Sequence, residues 1–355
     1  MASQFSHRPV VRFGISALSR ILFQPFAESI VERSMFRLCR LAGSCDKELI
    51  RAESDVLHRI IVYTILVCTG NRTMTTVSKP RESSRRPTIG VFDSGFGGLT
   101  VLKALLQLVP NSDYVYFGDT ARLPYGSKSV ETVARYAVEA AHYLEAHSAQ
   151  FLVIACNTAT ALALDQITAS AHVPVVGVVE PGAAAASSAT GNSKVVVIGT
   201  EATVASHAYR KALQSHNLQA REKACPLLVP LVEEGWIDHP VTEQVARIYL
   251  GEAFSDGFEN ADTLVLGCTH YPLLKPLLHR VAPPHVTIVD SADSTAHAVA
   301  SHLKQLVPAS SAEEERRRQP RLKFFATDSV EKFRRMGGRF LGHPIEDVQH
   351  VDLKE

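Results

Sequence analysis

The sequence predicts an α/β protein: two similar, doubly wound parallel-sheet domains with the functional site in the cleft between them. Three observations lead there. From Thr88 onward, short β-branched runs alternate with Ala/Leu/Glu/Lys-rich stretches, the order that βαβ units around a parallel sheet produce. Several runs are apolar throughout, as strands are when helices cover both of their faces. Two runs also end alike, as Phe151-Leu-Val-Ile-Ala-Cys156-Asn157-Thr158-Ala-Thr160 and Thr263-Leu-Val-Leu-Gly-Cys268-Thr269-His270-Tyr-Pro272. Each reads strand, small residue, cysteine, polar side chains. That repeated setting, a domain's length apart, suggests two related units facing one substrate.

In chain order the strand candidates are 88–92, 113–117, 151–155, 173–179, 194–199, 227–230, 263–267, 285–289 and 322–326. The stretches 98–109, 129–147, 158–170, 202–216, 240–256 and 294–305 read as the intervening helices. Glu180-Pro181-Gly182, followed by alanines 183–186, marks a crossing into the second domain, and the chain returns near Asp290-Ser291-Ala292. The first domain is therefore expected to hold residues 88–181 and 290–345, completed by the strand 322–326 and a helix over 328–339. The second holds 182–289. The charged run 310–320 reads as a solvated linker with helical-turn spacings.

A chain of 355 residues with 46% apolar side chains is long enough for two cores of ordinary size. The formal charge of +1 leaves no basic stripe for nucleic acid as the main partner. Cysteines stand at 39, 45, 68, 156, 225 and 268, none in a C-x-x-C pair, so zinc and thioredoxin-type chemistry are not indicated. Sparse, unclustered thiols fit a reducing cytoplasm.

Residues 1–87 differ from the rest and are expected to be a disordered extension or an overrun upstream of a true start at Met74. Residues 1–73 carry ten basic and six acidic side chains, a net of +4, which leaves −3 on the remainder. The opening stretch has Arg8, Arg12 and Arg20 and no acid before Glu28, in which respect it resembles a targeting or amphipathic surface segment. The apolar run 60–68 is short of the ~20 residues a membrane helix needs. Met74 begins a polar leader that runs straight into the first strand.

The chemistry-bearing segments cluster after strand ends, where open α/β sheets bind ligands. Gly90-Val-Phe-Asp93-Ser94-Gly95-Phe-Gly97-Gly98-Leu-Thr100 is a strand, a glycine-rich turn and a helix start. Its glycines are not spaced G-x-G-x-x-G, so a dinucleotide is not indicated; Asp93, at the strand's carboxyl end, is the notable side chain, with a helix N-cap as its plainer role. Gly118-Asp119-Thr120 through Pro124-Tyr125-Gly126 is a polar loop in which Tyr125 is placed for substrate contact. Cys156 and Cys268 sit where strands hand over to helix-like stretches, and a helix start lowers a thiol's pKa. Asp93 is the expected helper of Cys156 and His270 that of Cys268. Cys225 reads as an inert small hydrophobe.

These four motifs, in order from about Thr88 to Gly342, resemble those of the glutamate racemase family. The resemblance implies interconversion of L- and D-glutamate with no pyridoxal phosphate, metal or nucleotide cofactor. It implies a supply of D-glutamate for peptidoglycan, hence for cell wall and cell shape. Two thiols flanking the α-carbon would act as opposed general acid–base groups, Cys156 on D-glutamate and Cys268 on L-glutamate. The resemblance puts Asp93, Ser94, Tyr125, Gly126, Asn157, Thr158, Thr269 and His270 around the substrate's amino and carboxylate groups. Thr200 and Thr203, in Gly199-Thr200-Glu-Ala-Thr203, would take the side-chain carboxylate. Asp119 and Glu233 match acidic positions as helpers, with Glu234 the open alternative to Glu233. The resemblance also suggests a homodimer, and DNA gyrase contact is an activity of some relatives. Rival readings are an aspartate or hydantoin racemase; His270 after the second cysteine favours glutamate, since the aspartate enzymes typically carry an acid there.

Overall fold

Strands whose two faces are both apolar need helices on both sides, and each sheet of this protein is built that way. The structure, a computed structural model, describes residues 86–306 and 319–353. The basic opening stretch, the apolar run 60–68, Met74 and the core of the charged linker lie outside the described residues.

The first sheet begins with β1 (Thr88–Asp93), α1 (Leu99–Leu108) and β2 (Asp113–Gly118), followed by α2 (Val130–Ala146), β3 (Phe151–Ile154), α3 (Asn157–Ser170) and β4 (Val175–Gly177). The chain then passes through α4 (Val179–Ala189) into the second sheet. That sheet contains β5 (Lys194–Gly199), α5 (Glu201–Ala205), α6 (Ala208–Ser215), β6 (Gln219–Ala224), α7 (Leu228–Glu233), α8 (Pro240–Ala253), β7 (Thr263–Gly267), α9 (Lys275–Val281) and β8 (Thr287–Asp290). The return helix α10 (Ser291–Leu306) leads to β9 (Leu322–Ala326), α11 (Val330–Leu341) and β10 (Gln349–His350).

Among the described residues the strand order is β10-β9-β2-β1-β3-β4 in a six-stranded sheet and β6-β5-β7-β8 in a four-stranded one. Every pairing is parallel. In the first sheet Ile89, Val91, Tyr114 and Tyr116 face α1 and α11. Phe92, Val115 and Phe117 point the other way, onto the alanines of α2 and the start of α3. In the second sheet Val196, Ile198, Leu264 and Leu266 pack toward α8 and α9, and Val195, Val197 and Val265 toward α4 and α6. Both sheets are thus wound on both faces. One apolar core runs on from Leu99 and Leu102 of α1 to Ala292, Ala296 and Val299 of α10 and into the second sheet. No helix among the described residues is long and apolar enough to cross a membrane.

Several expectations are corrected. Residues 227–230 are not a strand but the start of α7, whose buried Leu228 and Val232 lie one helical turn apart. The strand in that region is β6, Gln-Ala-Arg-Glu-Lys-Ala, which lies at the sheet's edge and is only partly buried. The expected helix over 202–216 breaks in two at His207, which takes a left-handed φ of 55°. The residues expected as the crossing, 180–186, are helical and lie within α4, the helix that leads from the first sheet to the second: Pro181 falls in its first turn, where proline is tolerated, and small Gly182 lets Tyr209 approach.

Candidate active site

Parallel strands in register end together, and here that alignment gathers the polar residues. Asp93 pairs with Gly118, and Phe92 with Ile154, so Ser94, Asp119 and Cys156 emerge side by side from the first sheet. Gly199 pairs with Gly267, which sets Thr200 beside Cys268 at the corresponding end of the second.

The two ends touch each other. Thr158 Oγ1 lies 3.0 Å from Thr200 Oγ1 and 3.2 Å from Thr203 Oγ1, and the latter two are 2.9 Å apart. Thr269 donates to Asp93 Oδ1 at 3.4 Å. The hydroxyl of Tyr209, on α6, donates to Asn157 Oδ1 at 2.6 Å. The close approach depends on two glycines. A Cβ on Gly97 would stand 2.8 Å from His270 Nδ1, and one on Gly126 2.8 Å from Thr200 Cβ.

Cys156 is the N-cap of α3, its Sγ accepting from Ala159 N–H at 3.4 Å and donating to Ser94 Oγ at 3.4 Å. The helix start expected from the sequence is present, but it does not set the thiol's acidity. Burial pushes the Cys156 thiol up to about 12, and the nearby Asp93 charge adds to the rise. Asp93 makes its backbone bond with Gly95 N–H, 2.9 Å away. Burial raises its pKa, while the His270 charge opposes the rise. It therefore feels both cysteine loops.

Cys268 differs. After β7 comes a turn and then a 3-10 segment, Tyr271–Leu274, before α9 begins. Pro272 and Pro276 lack the N–H groups that a helix running straight from the cysteine would use. The local chemistry comes instead from side chains. His270 Nδ1 lies 4.0 Å from Cys268 Sγ, and His270 Nε2 lies 3.3 Å from Glu233 Oε1. Burial alone would lower the His270 pKa; its hydrogen bonds with Cys268 and Glu233 outweigh that and lift it to about 10. Burial would likewise raise the Glu233 pKa, but His270 and Lys332 together hold it below the usual carboxylate range. The residue facing His270 is Glu233; Glu234 is exposed.

Asp119 is fully buried, and its carboxylate holds the loop: it accepts from Tyr125 (2.5 Å), Thr327 (2.8 Å) and Arg122 (3.0 Å). Cys225 is buried, with its thiol pushed up to about 12 by burial, and the Tyr271 hydroxyl donates to its carbonyl at 2.8 Å.

Residues 89–299 match the family described as Asp/Glu/Hydantoin racemase. The chain is 59% identical to a glutamate racemase of Koribacter versatilis over 288 residues, 76% of this chain and 99% of the relative. The chain belongs to the glutamate racemase family. Members of this family are isomerases acting on amino acids, and this chain is an enzyme of that class. Its fold superposes on a glutamate racemase of Bacillus anthracis with a TM-score of 0.70 at 37% identity, covering 76% of this chain and 98% of that one. A Francisella tularensis glutamate racemase, solved in complex with D-glutamate, gives 0.67 at 34% identity over 75% and 98% of the two chains.

Two residues that shape this candidate site carry no motif in the sequence. Tyr209 orients Asn157 from the first turn of α6, and Lys332 reaches Glu233 from α11 at 3.0 Å. Only tertiary packing brings either to the site.

Proposed function

We propose that the chain interconverts L- and D-glutamate without an organic cofactor or metal, using Cys156 and Cys268 as the two acid–base groups. The observation that carries this is an orphan: Asn157 Nδ2 is buried and has no hydrogen-bond partner among the described residues, while Tyr209 fixes the other amide atom. A buried unpaired donor is costly unless a ligand engages it. It stands one residue from Cys156, where a substrate α-carboxylate would receive its N–H. There it would stabilise the negative charge that develops as the α-proton leaves.

In the proposed cycle one thiolate takes the α-proton and its electron pair stays on substrate, delocalised into the carboxylate. The opposite thiol then protonates the other face and becomes the thiolate, so each cysteine serves one enantiomer. Cys156 would act on D-glutamate and Cys268 on L-glutamate, with His270 and Glu233 assisting Cys268. The hydroxyls of Thr158, Thr200 and Thr203 offer donors to a side-chain carboxylate. Asp93, Ser94, Tyr125, Gly126 and Thr269 would complete the enclosure. By this reading the enzyme works in the cytoplasm, as a homodimer, and supplies D-glutamate for peptidoglycan.

The test is loss of circular dichroism from L-glutamate with purified, cofactor-free protein, with L-aspartate alongside. We expect decay with glutamate and none with aspartate. A stable glutamate signal would sink the proposal, and a faster aspartate decay would reassign the substrate.

A further inference from the structure

The side chains behind Cys268 continue past the histidine and its carboxylate. Lys332 Nζ lies 3.0 Å from Glu233 Oε2, while Glu233 Oε1 faces His270. The same ammonium sits 5.5 Å from the centre of the Phe96 ring, in the turn that carries Asp93 and Ser94. Eight residues further along α11, Phe340 meets the His270 ring edge-on at 5.3 Å. One helix thus touches the carboxylate, the imidazole and the glycine-rich turn.

We propose that Lys332 is a positioning residue for racemisation, holding Glu233 ionised and aimed at His270 so that the imidazole stays in place beside Cys268. This rests on the reading that His270 serves Cys268. A carboxylate with two free oxygens can rotate about its terminal torsion; with one oxygen on a lysine and the other on a histidine, it cannot do so without breaking a charge-assisted bond. The Lys332 side chain is 41% exposed against 16% for Glu233, so its effect is that of a partly solvated pair, modest but real.

The charged groups that bear on the pair are few. Cys268 and Asp93 face His270, Arg339 borders the backbone at Gly235, and on α11 itself Glu331 is paired with Arg334. Removing the lysine charge therefore acts mainly on Glu233, whose pKa must rise when a stabilising cation is lost.

The experiment compares wild type, Lys332→Met, Lys332→Arg and Glu233→Gln as full-length proteins, with kcat, KM and pH profiles for both enantiomers. Lys332→Met should lower kcat about two- to fivefold with little change in KM. It should also move the acid limb of kcat/KM to higher pH, because Glu233 now protonates earlier. Lys332→Arg should recover most of the rate and the original limb, and Glu233→Gln should lose more than either. Since the enantiomers are equal in energy, kcat/KM must fall equally in both directions, which provides an internal check. A Lys332→Met enzyme with unchanged kcat and limb, beside an impaired Glu233→Gln, overturns the role of Lys332 and leaves the racemase reading standing. Equal impairment of the Met and Arg variants with an unmoved limb also overturns it, since that marks a merely structural side chain. Wild type inactive on glutamate brings down both.

Discussion

At the scale of single residues, Asp93 shows why two thiols in matching sequence settings need not have matching chemistry. Its charge raises the Cys156 pKa, and its own pKa, raised by burial, is held back by the His270 charge, so it is coupled to both sides of the site. Cys156 relies on a helix cap and a serine hydroxyl; Cys268 relies on an imidazole backed by a carboxylate. The expectation of Asp93 as the partner of Cys156 therefore needs restating: the hydrogen-bond neighbours of that thiol are Ser94 and Ala159, and Asp93 acts on it through charge. For the proposed two-base cycle, Cys156→Ala and Cys268→Ala should each reduce racemisation by about 10³-fold or more, in both directions, with far-ultraviolet circular dichroism unchanged. Residual turnover within tenfold of wild type in either variant would refute the assignment.

At the scale of elements, what the sequence disclosed follows from how strongly burial constrains each segment. β1, β2, β3, β5 and β7 were legible because both faces are covered and their central positions are apolar or glycine. β6 was not, because an edge strand with partly exposed faces tolerates Arg221, Glu222 and Lys223. The run at 227–230 misled for the opposite reason, since a short buried helix and a short buried strand look alike over four residues. The cysteine loops were legible as strand ends, but Tyr209 and Lys332 were not, because their roles depend on how distant helices pack. The loop between β2 and α2 is a further case: its motif was readable, its anchor was not. Buried Asp119 ties Tyr125, Arg122 and Thr327 together, fixing the segment that brings Gly126 against Thr200. Asp119→Asn should destabilise the protein by about 1–3 kcal/mol and lower kcat/KM by loosening that segment. Urea unfolding checks the first part; a midpoint equal to wild type would show that the carboxylate does not anchor the loop.

At the scale of the whole molecule, the chain Cys268–His270–Glu233–Lys332 couples the proposed catalytic groups to global stability, and the sign follows from His270. Its folded pKa of about 10 lies above its ordinary value of 6.5, so folding favours the protonated imidazole. The stabilisation is fully present below the unfolded pKa, declines as pH rises above it, and is gone once pH passes the folded value. Its size is on the order of a few kcal/mol, because Cys268 and Glu233 share the interaction. Urea midpoints should therefore fall more steeply between pH 6.5 and 10 for wild type than for His270→Asn, which has nothing to titrate at that position. Parallel curves would mean that His270 is not held as a cation. Glu233 would then be held by Lys332 without a charged imidazole on its other oxygen, and the asymmetry between the two cysteines would have to arise from what surrounds Cys156: its burial, the Asp93 charge and the Ser94 hydroxyl.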